Sequence, residues 1–118
     1  MMNKDRFDTL TNSFSKARVM VVGDIYLDET NFGVITEMSL EAPIPVFELQ
    51  RRYHNPGAAG NVATNLAAMG AQRVEMVGIV GQDVNADIVK KEFKDRNVSI
   101  SGLVVDPDSP TNTYGKFR

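Results

Sequence analysis

The chain has 118 residues, with 15 acidic and 13 basic side chains, a formal net charge of -2 and no cysteine. Charges of both signs are interspersed, which excludes a basic stripe for nucleic acid and a polybasic membrane patch, and the missing cysteines exclude disulfides and thiolate metal sites. The 42% apolar and 24% charged residues fit one soluble globular domain, no apolar run reaches membrane-spanning length, and the N-terminus MMNKDRFDTL lacks the apolar core of an export signal, so a cytoplasmic location is expected.

Taken in chain order, Lys4 to Lys16 reads as an amphipathic helix with Phe7, Leu10 and Phe14 on one face and Asn3 as its cap. Its expected role is packing. Arg18 to Val22 is a short apolar run and reads as the first central strand, ending at Gly23. Past its carboxyl end come three carboxylates, Asp24, Asp28 and Glu29, where open α/β sheets bind ligands. If the segment is extended, Asp24 and Asp28 lie on one side of it. Carboxylates there accept hydrogen bonds from sugar hydroxyls or hold a metal ion; a solvated turn is the alternative. Thr30 to Thr36 and Ile44 to Leu49 read as two further strands, with Pro43 and Pro45 placing the second at an edge. The two strands stand off the core as a flap or lid. Arg51 and Arg52 read as a solvated strand end, and His54, the only histidine, as a surface residue of a polar loop.

The densest stretch runs from Asn55 to Gly81. It opens with a small-residue loop, Pro56-Gly57-Ala58-Ala59-Gly60-Asn61, and enters a short helix with Val62, Leu66 and Met69 on one stripe. Gly70 is the expected stop, because glycine takes the left-handed conformation at little steric cost. A loop of this kind exposes backbone N–H groups to a polar or anionic ligand; equally, it packs a helix closely on a sheet and binds nothing. Val74 to Val80 is nearly continuous in apolar character, as in a strand buried on both faces of a parallel sheet. Asp83 is the expected cap of a helix to about Arg96, with Val84, Ile88 and Phe93 facing the core and Asn97 stopping it. Ile100 to Val105 is another strand, Asp106 to Pro110 a turn, and Thr111 to Arg118 a last extended segment. Helices alternating with apolar strands predict an α/β fold with a parallel sheet.

Three stretches resemble the PfkB, or ribokinase-like, carbohydrate kinase family. Val21-Val22-Gly23-Asp24-Ile25-Tyr26-Leu27-Asp28 is similar to the family's first strand and its sugar-binding aspartate. Pro56-Gly57-Ala58-Ala59-Gly60-Asn61-Val62-Ala63, with Leu66 and Gly70, is similar to its first signature. Val77-Gly78-Ile79-Val80-Gly81-Gln82-Asp83 resembles its next strand and "GxD" turn. Within the family, Ser39-Leu40-Glu41-Ala42-Pro43-Ile44-Pro45-Val46 and Val104-Val105-Asp106-Pro107 with Pro110-Thr111 look most like the D-glycero-D-manno-heptose-7-phosphate kinases of the ADP-heptose pathway of bacterial lipopolysaccharide biosynthesis. The chain departs from the pattern at Ala58, where the family has a second adjacent glycine, at Leu40 in place of a proline, and at Arg73, an extra residue between Gly70 and Gly81.

The resemblance implies a ribokinase-like (Rossmann-like) parallel sheet flanked by helices, with a small β lid from strands at about 30–50 and 111–118. It implies that residues 1–118 are the N-terminal part of a single PfkB-type kinase domain, without the ATP-binding C-terminal half and its catalytic aspartate. The implied substrate-binding residues are Asp28, Gly57, Ala58, Asn61 and Asp24, with no catalytic residue and no metal ligand in this chain. ATP and Mg²⁺ are implied for the full-length family, with no site for them here. The chain is therefore expected to be the sugar-recognition half of a kinase, binding a small-molecule sugar or sugar phosphate, not nucleic acid or membrane, and pairing as a homodimer through the lid strands. A non-catalytic interaction or sugar-binding module, dimerising through its lid or an open sheet edge, is the alternative. A dinucleotide-binding domain fits poorly, because the turn after the first strand has one glycine and is acidic.

Overall fold

The computed structural model describes residues 1–118. The elements in order are helix α1 (Lys4–Ser13) with a 3-10 turn (Phe14–Lys16), β1 (Arg18–Val22), β2 (Ile25–Met38), β3 (Pro45–Ala58), α2 (Ala59–Ala68), β4 (Arg73–Gly81), α3 (Val84–Asp95), β5 (Val98–Asp106) and β6 (Thr113–Phe117). They form two three-stranded sheets. The central sheet has the order β1-β4-β5 and is wholly parallel, as the helix–strand alternation predicts. The lid sheet has the order β3-β2-β6, with β3 antiparallel and β6 parallel to β2.

Local chemistry sets the element ends as expected in four places. Asn3 Oδ1 accepts from the Arg6 amide at 2.8 Å and Asp83 Oδ1 from the Ala86 amide at 2.7 Å, each quenching a first-turn N–H that the helix leaves unpaired. Gly70 stands at φ +90° just after α2, and Asn97 at φ 59° after α3.

Other expectations are corrected. The lid strands are longer than the predicted runs: β2 begins at Ile25, and β3 continues through Asn55-Pro56-Gly57-Ala58, so this signature opens as strand and not as loop. Those residues pair with β2, Gly57 facing Tyr26 and Ala58 facing Ile25. The core face of α2 is Gly60 and Ala63, while Val62 and Met69 are exposed; helices packed this closely on a sheet place small residues at the contact. A Cβ on Gly60 would stand 3.0 Å from the Phe93 ring. The core face of α3 is Ala86, Val89 and Phe93, with Val84 exposed beside the cap. No residue of α1 is buried, so it is not the packing helix its pattern predicts. β4 is buried on one face only: Val74, Met76 and Val80 join the core, and Ile79 is exposed on the other face.

The core is a single cluster that unites the inner face of the central sheet, α2 and α3 with Ile25 and Leu27 at the root of the lid. Burying those two lid residues under the helices fixes where β2 leaves the core, and with it where Asp24 and Asp28 stand.

Candidate functional site

Asp24 lies in the bend between β1 and β2 and lines a crevice of about 610 Å³ at the carboxyl ends of β1 and β4. The Ser109–Asn112 segment supplies another wall through Ser109, Pro110 and Asn112. This is where a parallel sheet offers its binding site.

Asp28 is inside β2, paired with Asn55 on one side and Tyr114 on the other. Its carboxylate lies against Gly57: a Cβ built there would be 2.6 Å from Asp28 Oδ1. The missing side chain at Gly57 is therefore what gives the carboxylate its place. The alternation that puts Ile25 and Leu27 in the core turns Tyr26 and Asp28 to the opposite face. Asp24, which precedes the strand, lines the crevice, whereas Asp28 does not.

Ala58 stands immediately before α2 at φ 51°, ψ -126°. An L side chain rarely adopts that conformation, and glycine takes it freely. The cost of the alanine at this position is therefore in its own backbone, before any ligand is considered. The predicted row of free N–H groups is also reduced: the Ala59 amide donates to the Asp24 carbonyl at 3.0 Å, tying the start of α2 to the crevice wall. Asn61, on the first turn of α2, lines a separate polar cleft of about 430 Å³ with Asn55, Asn65 and Arg96. The structure thus joins Asp28 to Gly57 and Asp24 to Ala59, and leaves Asn61 on a different cleft.

Sequence reasoning missed a polar network at the root of the lid. Asn31 is 1% exposed. Its Nδ2 donates to Glu29 Oε1 at 2.9 Å, and its Oδ1 accepts from Arg52 Nε at 2.8 Å. His54 Nε2 donates to Glu29 Oε2 at 3.1 Å. His54 is half-buried and paired, so it is not the free surface histidine that its polar surroundings suggest. The Asn31 hydrogen bond, opposed by desolvation and reinforced by His54 and Arg52, holds the Glu29 carboxyl below the usual carboxylate range. The signal was present as alternation: Glu29 and Asn31 pair across two antiparallel strands with His54 and Arg52, but only a known register reveals it.

The residues present do not fit ATP with Mg²⁺. No three His, Cys, Asp or Glu side chains converge on a point where a metal ion could sit. The crevice has one charged lining residue, Asp24, and no lysine or arginine to meet a triphosphate. No helix is long and apolar enough to cross a membrane.

The sequence model of the pfkB family of carbohydrate kinases matches residues 16–117. The chain is 42% identical over 111 residues to "Bifunctional protein HldE" of Bradyrhizobium sp. (strain ORS 278), which takes in 94% of this chain and 22% of that protein. It is 41% identical over 112 residues to the protein of the same name from Rhodopseudomonas palustris (strain BisB5), covering 95% of this chain and 23% of that one. The chain therefore spans less than a quarter of the length of these relatives. Among solved structures, a carbohydrate kinase from Agrobacterium tumefaciens superposes with a TM-score of 0.66 at 20% identity over 86% of this chain and 31% of that one. A fructokinase with bound ATP from Xylella fastidiosa gives 0.65 at 22% identity over 86% and 30%. These likenesses show the ribokinase-like fold.

Proposed function

Because the chain belongs to the pfkB family of carbohydrate kinases, we propose that it is the sugar-recognition part of an ATP-dependent kinase acting on a sugar or sugar phosphate. D-glycero-D-manno-heptose 7-phosphate, in the cytoplasmic ADP-heptose branch of lipopolysaccharide synthesis, is the substrate the lid segment favours. The observation that carries this reading is Asp28, a carboxylate held against the side-chain-free Gly57 at the root of the lid. There it accepts hydrogen bonds from sugar hydroxyls, with Gly57 and Ala58 giving backbone approach; Asp24, on the crevice, and Asn61, on a separate cleft, stand apart from it in this chain. ATP and Mg²⁺ act in the whole protein through residues outside this chain, and the chain by itself turns over no ATP.

Hydrogen bonds to a charged group contribute roughly 1.5–3 kcal/mol. Asp28→Ala in the intact enzyme is therefore expected to weaken sugar selection by about tenfold to a hundredfold. Steady-state kinetics with the sugar varied checks this; an unchanged dependence removes Asp28 from the site. On this chain alone, the sugar should raise the thermal unfolding midpoint and Asp28→Ala should abolish the rise.

A second reading, an interaction module or homodimer formed through the lid strands, is favoured by a different observation. Ile35, Leu40, Ile44 and Phe117 of the lid are all exposed. Light scattering on the pure chain distinguishes a lid-mediated dimer from a monomer.

A further inference from the structure

The Gly81-Gln82-Asp83 turn does more than start a helix. Asp83 uses its two carboxylate oxygens on two different elements. Oδ1 accepts from the Ala86 amide and caps α3. Oδ2 accepts from the Thr111 amide at 2.7 Å, across 28 residues of sequence. Thr111 answers in the other direction: its hydroxyl, in a residue only 6% exposed, accepts from the Gly81 amide at 2.9 Å. The approach depends on Gly81 having no side chain, since a Cβ there would lie 2.6 Å from the Ser109 carbonyl oxygen and 2.8 Å from the Thr111 amide.

The segment held in this way has two roles. Ser109, Pro110 and Asn112, on either side of Thr111, are a wall of the crevice that Asp24 lines. Thr113 then opens β6, and the Asn112 carbonyl accepts from the Leu27 amide at 2.8 Å where β6 joins β2. Asn85, on the first turn of α3, donates from Nδ2 to Thr113 Oγ1 at 2.9 Å. Beyond that point β6 is a five-residue edge strand lying mostly in solvent. It is held along its length by pairing with β2 and by the Phe117 ring against Phe47, and at its root by the contacts of Thr111 and Thr113.

We propose that Asp83 is a positioning residue, a clasp that with Gly81 and Thr111 fixes the crevice wall and the lid strand β6 to the end of the central sheet. A ligand that moves Ser109–Asn112 thereby moves β6, and Tyr114 beside Asp28 with it.

The test separates the two arms of Asp83. Serine caps a helix well but cannot span to Thr111 at the same time. In Asp83→Ser of the full 118-residue chain, amide hydrogen exchange across Leu27–Gly33 and Thr113–Arg118 should quicken at least tenfold. The first turn of α3 and strands β1 and β4 should stay within about twofold of the parent. Thr111→Val, which removes the hydroxyl, should release the same lid amides, and Thr111→Ser should not. Unchanged lid exchange in Asp83→Ser overturns the proposal. So does a uniform quickening over both sheets, which would make Asp83 a helix cap and no more.

Discussion

At the residue scale, Ala58 is the position where sequence and backbone disagree. The conformation at φ 51°, ψ -126° is glycine's, and a non-glycine residue held there costs of the order of 1–3 kcal/mol. The same position is where the chain departs from the family pattern, and a methyl group there would also take room from a bound sugar. The backbone reason is the stronger, because it acts in the empty protein. Ala58→Gly removes the strain and returns some of it as unfolded-chain entropy, about 0.4–1 kcal/mol. The expected net effect is a gain of about 1 kcal/mol, or a rise of about 4 °C in the unfolding midpoint. Urea unfolding of the two proteins checks it; a less stable glycine variant would show that the backbone at this position carries no strain. Dihedral angles of this kind are invisible to residue patterns, which is why the glycine-to-alanine departure was legible and its consequence was not.

Between elements, polar contacts add to the backbone ladders of the lid and to Ile25 and Leu27, which root it in the core. β2 and β3 share the Glu29–Asn31–Arg52–His54 network, and β6 is tied through Asp83. Both carboxyls sit below their ordinary values, Glu29 first through the Asn31 hydrogen bond and Asp83 first through the Thr111 amide. The sign follows from the direction: a carboxyl depressed in the folded state contributes stability that is present above its unfolded value and lost as pH falls through the folded one. Acid below about pH 4 should therefore weaken the lid attachment. Glu29→Gln lacks the Glu29 share of that dependence. Its midpoint should lie below the parent's at neutral pH, with the gap narrowing as pH is lowered toward 3. A gap that is constant with pH would mean that the charge of Glu29 does not stabilise the fold.

The same element scale shows what periodicity could and could not convey. The order of strands and helices, both side-chain caps and the Gly70 and Asn97 stops depend on local chemistry, and they were legible. The buried faces of α2 and α3 were legible in part: Phe93 lies in the core and Leu66 and Ile88 pack against it, but Val62, Met69 and Val84 are exposed. Gly60, Ala63 and Ala86 lie on the buried faces instead, where the backbone comes close to the sheet. Length misled in the lid as well: β3 runs through a glycine- and proline-bearing stretch that composition marks as loop, held in register by its partner β2. The family resemblance pointed to Asp28 and Gly57 separately, but their contact required that register.

For the whole molecule, the balance of covered and open surface governs behaviour. The radius of gyration is 18.7 Å and the long axis 64 Å, against about 13 Å expected for a compact domain near this size. Only 16 of 118 residues are buried, and 10 of them form the one hydrophobic cluster between the central sheet, its helices and the lid root. The face of the central sheet away from the helices presents Met20, Val22, Ile79 and Val104, each more than half exposed, and β1 and β5 leave both edges of that sheet unpaired. Apolar side chains beside open strand edges favour association, since covering them removes apolar area from water and pairs free backbone groups. The chain on its own is therefore expected to associate with rising concentration and to bind a hydrophobic dye. Val22→Lys with Ile79→Lys, both on the open face, should reduce both effects while leaving the helix-covered core intact. Light scattering over a concentration series, with circular dichroism as the control for folding, decides it. If the double variant associates as the parent does, the lid sheet and not this face is the adhesive surface, and the same titration on Ile35→Lys with Phe117→Lys would then show the loss.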